Sequence, residues 1–579
     1  MPELLMPDEL ERAARSWIAG DPDPITRSEL QQLLEDGQRA ELGERLGRSL
    51  EFGTAGLRGI VGAGPNRMNR AVVIRTTRAL AEHVLQRVPD ARSLPVVLGY
   101  DARLSSRSFA EDTAGVLAAA GLSVRYFEAP VPTPLVAYAV RALGASAGIV
   151  ITASHNPPEY NGYKVYGPNG AQIIAPADAE ITTRRTGIES AASVPRVAGV
   201  LDGQHPGAAP VPESLAERYL AELAALIPRS TLQRDLKIVY TPLHGVGGEW
   251  VERALRYFGF EALETVSAQA MPDGLFPTVR FPNPEEPGAL DLALGLAQET
   301  KAELIVANDP DADRLAAAVP TATGRWQVLT GNQLGLLLAD FALSNAAFVA
   351  KPLVVSSIVS SPMLASVAAR HGAHFEQTLT GFKWIWNAAL ELELSRGLSF
   401  VFGYEEALGY SLGHLVRDKD GVSAAVLLCE LAARCKERGM TLLDRLAELY
   451  REHGLWVSVQ KSIVRPGVRG AEEIEQALAG LLQAPPEALA GRRVLEVTDY
   501  SRGAELRPHW LPQTALGALD LEGGARVLVR PSGTEPKLKI YVDLAVSVRS
   551  DETIIARNEQ ALTEANAIAE QTALVMGFH

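Results

Sequence analysis

Short apolar runs of strand length recur along this chain with helix-length segments between them. That alternation restricts the possible folds more than any other feature. "LPVVLGYD" (94–101), the helical "SFAEDTAGVLAAAG" (108–121), "LSVRYFEA" (122–129) and "AGIVITAS" (147–154) make a first series. "LKIVYTPLHG", a helix from about Glu249 and "AELIVAND" make a second. "PLVVSSIVS", a helix near Met363 to His371 and "LSFVFGYEE" make a third. Strands joined through helices predict α/β domains whose mixed or parallel sheets are covered by helices. Past about residue 456 the texture changes. "VSVQKSIVRPG", "RRVLEVTDYS", "ARVLVRPSG" and "KLKIYVDLAVSV" suit antiparallel strands, with a closing helix over 551–576, which together predict an α+β unit. The expected organisation is a helical extension (1–50), three similar α/β domains (51–225, 226–335, 336–455) and a C-terminal α+β domain (456–579). Within the extension, Thr26 and Glu29 have the spacing of a capping box.

A chain of 579 residues needs several cores. Its net charge of −14 argues against a general nucleic-acid or anionic-membrane binder, although a local basic pocket for a small phosphorylated substrate remains compatible with it. The two cysteines, Cys429 and Cys435, form no C-x-x-C pair and support neither a zinc site nor a disulfide scaffold. No basic, apolar leader and no run of about 20 apolar residues is visible, so the expectation is a soluble cytoplasmic protein.

Open α/β sheets place ligands at the carboxyl ends of their strands. Three polar clusters stand there: Ser154-His155-Asn156, Asp309 to Arg314, and Glu405-Glu406. In "ANDPDADRL", Asp309, Asp311 and Asp313 alternate directly after an apolar strand. On an extended segment such carboxylates project to one side and can converge on a hard cation. A solvated acidic turn is the common alternative, but three alternating charges off a buried strand repel one another too strongly without a counter-charge. An EF-hand is excluded because its sixth position, normally Gly, is Arg314, and its twelfth, normally Glu, is Pro320. Arg314 is instead placed to balance charge or hold a phosphate. The reading is a Mg²⁺-type site.

"VRPSGTEPKLKI" supplies Arg530, Ser532, Gly533 and Thr534 between two strands, with Lys537 and Lys539 following. A forked guanidinium, hydroxyls and glycine-freed N–H groups suit a phosphate dianion, although a plain hairpin turn has the same Pro-Ser-Gly signal. "FGTAGLRGIVGAG" is glycine-rich around one cation, Arg58, but carries no G-K-[ST] and is no P-loop. "GASAG" (144–148) matches a hydrolase elbow in letters only, since it follows a helix and opens a strand, which makes Ser146 structural. Ser154 is a poor hydrolytic serine on the same logic. His155 is its immediate neighbour in what reads as an extended segment and is expected to point away. A serine facing a Mg²⁺ site and a phosphate loop suits the carriage of a phosphoryl group.

"TASHNP", "DPDADR", "GYEEALG" followed by "DKDG", and "RPSGTEP" together resemble, in order, the four signature loops of the α-D-phosphohexomutase superfamily. "FGTAGLRG", "PDGLFPTVRFPNPEE" and "TLTGFKWI" are most similar to its longer phosphoglucomutase branch, whose relatives include phosphopentomutases and glucose-1,6-bisphosphate synthases. The resemblance implies four domains around a central cleft, each donating one loop. It implies that Ser154 is a phosphoserine whose phosphate binds Mg²⁺ with Asp309, Asp311 and Asp313. It implies that Arg530, Ser532, Gly533 and Thr534 hold the non-reacting phosphate, and that Glu405 contacts sugar hydroxyls with Thr380 and Gly381 nearby. Arg58, His155, Lys164 and Lys419 would surround the transferred phosphoryl group or its proton, any of them serving as general acid or base. The implied partners are small sugar phosphates, with glucose 1,6-bisphosphate as activator and intermediate. The implied reaction is that of a phosphosugar mutase, foremost glucose 1-phosphate to glucose 6-phosphate, with mannose and pentose phosphates or bisphosphate synthesis as alternatives. Two departures from the family pattern stand out. Pro310 and Ala312 occupy places where glycine is common, and Ala407 replaces a frequent serine in the sugar loop.

Overall fold

The apolar runs become strands because alternate residues of each can be buried on opposite faces at once. A computed structural model describes residues 7–53, 56–227, 234–465, 467–532, 537–548 and 553–578. In its first sheet the strands run in the order Leu57–Ile60, Tyr160–Tyr166, Ala147–Ile151, Pro95–Tyr100, Ser123–Tyr126, Ala208–Pro210. The inner strands Ala147–Ile151, Pro95–Tyr100 and Ser123–Tyr126 pair parallel, while Tyr160–Tyr166 and Leu57–Ile60 are added antiparallel at one side. Val96, Leu98, Ile149 and Ile151 share a core with Val72, Leu80, Phe109 and Leu117 of the helices Arg70–Arg87 and Ser106–Ala119. Each such side chain, fully buried, stabilises the fold by roughly 1.5–3 kcal/mol. The opposite face is covered by the helix Thr133–Ala142. A Cβ on Gly99 would lie 2.4 Å from Val136 Cγ2, and one on Gly148 would lie 2.4 Å from Val140 Cγ2. Those two glycines let this helix sit directly on the strands.

The second sheet has the order Trp326–Val328, Ala316–Pro320, Leu304–Ala307, Ile238–Thr241, Leu263–Thr265, with the last three parallel. The third sheet has four strands, of which His374–Thr378, Pro352–Ser357 and Ser399–Glu405 pair parallel. The fourth is antiparallel throughout: Leu455–Val464, Lys537–Val546, Ala525–Pro531, Gly517–Leu521, Arg492–Asp499, Ala488–Leu489. The three-plus-one pattern of α/β and α+β sheets is therefore present as the alternation predicts. Reading by pattern passed over the strand Gly517–Leu521 and the helix Gly467–Gln483. The chain divides into two units, Met1–Val328 with Gly409–Glu430, and Leu329–Leu408 with Leu431–His579. Among the described residues, no helix is long and apolar enough to cross a membrane.

The capping box at Thr26 is not formed. The helix Pro24–Glu35 starts earlier, with Asp23 accepting the N–H of Ile25 and Pro24 in the first turn. Proline is tolerated there because its missing N–H would have had no helical partner, and its ring pre-organises the helical φ. Thr26 is buried and donates to Asp21 Oδ2 at 2.7 Å. Glu29 instead accepts from Arg45 Nη1 at 2.5 Å and from the Ala63 N–H at 2.9 Å, tying the helical extension to the segment that follows the Arg58 strand. Ser146 is a structural residue: it is buried, and its hydroxyl donates to the Pro95 carbonyl at 3.1 Å.

Candidate active site

Ser154 follows the buried strand Ala147–Ile151, and its conformation is what makes a site of it. Its φ of 52° is left-handed, a region a residue with a Cβ seldom enters. The chain therefore turns at Ser154 instead of continuing extended. The expectation that His155 points away is overturned: Ser154 Oγ lies 3.1 Å from His155 Nδ1. The same Oγ donates to Asp309 Oδ2 at 2.7 Å. Both Ser154 and Asp309 are buried.

The aspartates follow Leu304–Ala307, but not as an extended segment. Ala312 takes φ 54°, and its N–H returns to the Asp309 carbonyl at 2.9 Å, so a turn gathers the carboxylates. One oxygen from each of Asp309, Asp311 and Asp313 lies within 4.8 Å of the others. Thr133 Oγ1 donates to Asp311 Oδ2 at 2.7 Å, and the Arg314 N–H donates to Asp309 Oδ1 at 3.0 Å. Among the described residues, Oδ1 of Asp311 and Oδ1 of Asp313 are buried with no hydrogen-bond partner. Leaving two carboxylate oxygens dry and unpaired is costly unless a cation takes them. Three hard oxygen donors in one turn fit a Mg²⁺-class ion.

Cations crowd the same place. Lys164, on the strand Tyr160–Tyr166, is fully buried, and its Nζ lies 2.7 Å from Asp311 Oδ2 and 2.8 Å from Asp313 Oδ2. Lys419 Nζ is 3.2 Å from Asp313 Oδ2. Arg314 Nε is 4.0 Å from carboxylate oxygens of Asp309 and Asp313. Arg58, on the strand Leu57–Ile60, donates through Nη1 to Asn156 Oδ1 at 3.1 Å. Burial pushes Asp309 well above the ordinary carboxylate range, and Asp311 and Asp313 reinforce it. Burial raises Asp311 and Asp313, and Asp313 adds to it at Asp311, but Lys164 with Thr133 at Asp311, and Lys164 with Lys419 and Arg314 at Asp313, together bring both below the usual range. His155 is pushed far below an ordinary imidazole, first by burial and then by Arg314 and Arg58, which keeps its ring neutral at neutral pH.

Thr133 and Arg103 were not singled out from sequence, and of the quoted "DKDG" (418–421) only Lys419 was given a role. Arg103 lies just past Pro95–Tyr100, at the same kind of strand end that exposed the other clusters. Asp418 accepts from Tyr166 Oη at 2.6 Å and Gln172 Nε2 at 2.7 Å and sets the backbone of Lys419. Gly421 lets that loop lie backbone to backbone on the aspartate loop: its N–H reaches the Ala312 carbonyl, and a Cβ would stand 2.3 Å from the Arg314 carbonyl oxygen. Gly421→Ala should therefore lose about 1–3 kcal/mol of stability through overpacking, read by denaturant unfolding, together with a weaker divalent-ion affinity read by calorimetry. Unchanged values for both would show that the loops yield freely.

The remaining candidates belong to the other unit. Glu405 ends the strand Ser399–Glu405 and accepts the N–H of Gly381, whose φ is 124°. Thr380 Oγ1 is buried and, among the described residues, without a hydrogen-bond partner. Arg530 lies on Ala525–Pro531 opposite Lys539, and the Ser532 N–H donates to the Lys537 carbonyl at 2.7 Å. Gly533 and Thr534 lie outside the described residues.

The chain is similar to known proteins over most of its length. Residues 49–192, 217–324 and 330–453 match the phosphoglucomutase/phosphomannomutase alpha/beta/alpha domains I, II and III, and residues 475–558 match the C-terminal domain of the same family. The chain is 36% identical to a probable phosphoribomutase of Schizosaccharomyces pombe over 92% of its own length and 93% of the other. It is 39% identical to a probable phosphomannomutase of Haemophilus influenzae over 82% of its length and 93% of the other. A solved phosphoglucomutase/phosphomannomutase family protein from Burkholderia thailandensis has the same fold, with TM-score 0.63 and 21% identity, covering 89% of this chain and 97% of that one. With all four domains matched in order and relatives of this identity along nearly its whole length, the chain belongs to the α-D-phosphohexomutase superfamily and is an isomerase of the phosphoglucomutase/phosphomannomutase type.

Proposed function

We propose that this isomerase moves a phosphoryl group between the anomeric and primary hydroxyl oxygens of a sugar phosphate, with Ser154 as carrier and glucose 1-phosphate as the first substrate to test. The observation that carries this reading is the buried Ser154 hydroxyl, 2.7 Å from Asp309 in an aspartate cluster that Lys164 and Lys419 also meet. Phosphoserine 154 gives its phosphoryl group to the free hydroxyl of the monophosphate, forming a bisphosphate. The bisphosphate turns over, and its other phosphate returns to the serine. Asp309, Asp311 and Asp313 would hold Mg²⁺, which when bound supplies neutralisation of charge on the phosphoryl oxygens. Arg58, Lys164 and Lys419 add fixed positive charge, so that positioning and electrostatics do most of the catalysis. His155, whose Nδ1 lies 3.1 Å from Ser154 Oγ, would exchange a proton there on the strength of that geometry. In this reading Arg314 would meet phosphate, Glu405 with Thr380 and Gly381 would meet sugar hydroxyls, and Arg530 with Ser532, Gly533 and Thr534 would hold the non-reacting phosphate. Glucose 1,6-bisphosphate would serve as activator.

A second reading, a pentose phosphate mutase, is favoured by Ala407 and by the likeness to a phosphoribomutase. A site that hydrogen-bonds a hydroxyl rejects analogues lacking it, because its own polar groups are left unpaired. Alanine removes one such partner, so discrimination rests more on Glu405. The test is kcat/KM for glucose, mannose and ribose 1-phosphates with catalytic glucose 1,6-bisphosphate present. Ala407→Ser should narrow the preference towards hexoses by roughly tenfold, the value of one neutral hydrogen bond. A wild type inert on all three sugars would overturn the mutase reading. An unmoved hexose-to-pentose ratio would leave Ala407 as packing alone.

A further inference from the structure

Ser154 holds a backbone conformation unfavourable to any residue with a Cβ, and two buried side chains brace it: Thr152 Oγ1 accepts the Ser154 N–H at 2.8 Å, and Arg103 gathers the carbonyls that follow. Arg103 stands three residues beyond the strand Pro95–Tyr100 and is 3% exposed. An arginine guanidinium carries five N–H donors in a fixed fork, and here all five are used. Nη2 donates to the carbonyls of Ser154 at 2.7 Å and Asn156 at 2.5 Å. Nη1 donates to those of Pro157 at 2.6 Å and Tyr160 at 3.0 Å. Nε donates to Asp101 Oδ2 at 3.2 Å. Four carbonyls within seven residues of chain thus converge on one planar group.

The clamp is itself held. Asp101 Oδ1 accepts from Ser106 Oγ at 2.5 Å and from the Arg103 N–H at 3.0 Å. The ring of Phe276 lies 5.1 Å from the guanidinium carbon. Gly274 packs so closely that a Cβ there would stand 2.7 Å from Arg103 Cα. The guanidinium therefore has neither room to swing nor a donor left for a phosphoryl group.

We infer that Arg103 is a positioning residue for phosphoryl transfer: it fixes the 154–160 loop so that Ser154 Oγ is aimed at Asp309, and it acts on the reaction only through that loop. This deepens the assignment of Ser154 as carrier and rests on it. Lysine keeps the charge but offers three donors from one point and cannot span four carbonyls. A displacement of about 1 Å in a reacting group costs on the order of 100-fold in rate. Arg103→Lys should accordingly lower kcat by roughly 30- to 300-fold while leaving KM for the sugar phosphate within about threefold, since no substrate contact is removed.

The experiment measures kcat, KM and thermal unfolding for wild type, Arg103→Lys, Asp101→Asn and Ser154→Ala, with glucose 1-phosphate and catalytic glucose 1,6-bisphosphate. A kcat loss at near-constant KM in folded Arg103→Lys supports the inference. If only the unfolding temperature falls and kcat stays within about threefold of wild type, Arg103 is a fold residue and the inference is overturned. Should Arg103→Lys not fold, Asp101→Asn carries the same decision, because it keeps the guanidinium but loosens its anchor. A lower kcat at constant KM there supports the inference, and an unchanged kcat overturns it. Turnover persisting in Ser154→Ala would overturn the carrier assignment and this inference together. An inactive Ser154→Ala beside a normal Arg103→Lys would overturn this one alone.

Discussion

Ser154→Ala is expected to abolish turnover, by roughly 10⁴-fold or more, while leaving the fold intact. The size follows from the double use of the serine. Each catalytic cycle needs a group that gives a phosphoryl and later takes another back, and Ser154 Oγ is the hydroxyl that faces Asp309 and His155. Alanine removes the carrier outright, whereas loss of a neighbouring cation removes only part of the charge stabilisation. The structural cost should be small. Ser154 Oγ makes two polar contacts, and alanine leaves the four-carbonyl clamp of Arg103 on the loop untouched. Two measurements check it: steady-state turnover of the alanine variant, and peptide mass spectrometry of wild type, in which Ser154 should be phosphorylated in part of the molecules. A phosphate stable elsewhere, with full activity in the variant, would refute the carrier mechanism.

The aspartate cluster carries the second large effect, and its three members should not behave alike. Removing the divalent ion with chelator, or replacing Asp311 by Asn, should cost several kcal/mol of transition-state stabilisation, or roughly 10²- to 10⁴-fold in kcat. Repulsion among three carboxylates would by itself make any Asp→Asn change stabilising in chelator. The Lys164 ammonium bridging Asp311 and Asp313 alters that expectation. Asp311→Asn weakens one arm of a buried ion pair and should lower stability by about 1–3 kcal/mol. Among the described residues, Asp309 meets no lysine in this way. Burial and its two neighbours already push its carboxyl well above the ordinary range, so Asp309→Asn should be neutral or mildly stabilising without metal. Thermal unfolding in chelator separates the two variants. Near-normal kcat of Asp311→Asn in chelator would mean that no catalytic metal sits there.

The amino-acid sequence alone determined the sheet types and the chemistry-bearing loops. Runs such as "LPVVLGYD" and "AELIVAND" are short, apolar and β-branched, and burial on both faces permits little else. Polar clusters directly after such runs mark strand ends, so Ser154 and the three aspartates were legible before any coordinates. Arg103 has the same position after its strand and was passed over, because one arginine in a loop is indistinguishable from a surface charge until its partners are known. The tertiary structure decided what depends on backbone sign and on distant pairs. Left-handed turns at Ser154 and Ala312 reverse the side-chain directions that an extended chain would give, bringing His155 to the serine and gathering Asp309, Asp311 and Asp313 in a turn. Residue letters do not specify those signs, since serine and alanine disfavour positive φ and adopt it only where surrounding contacts overdetermine it. Lys164 is 147 residues from Asp311 in sequence, and Thr133 is 178 away. Only the packing of separate sheets puts them within 2.7 Å of the same carboxylate oxygen.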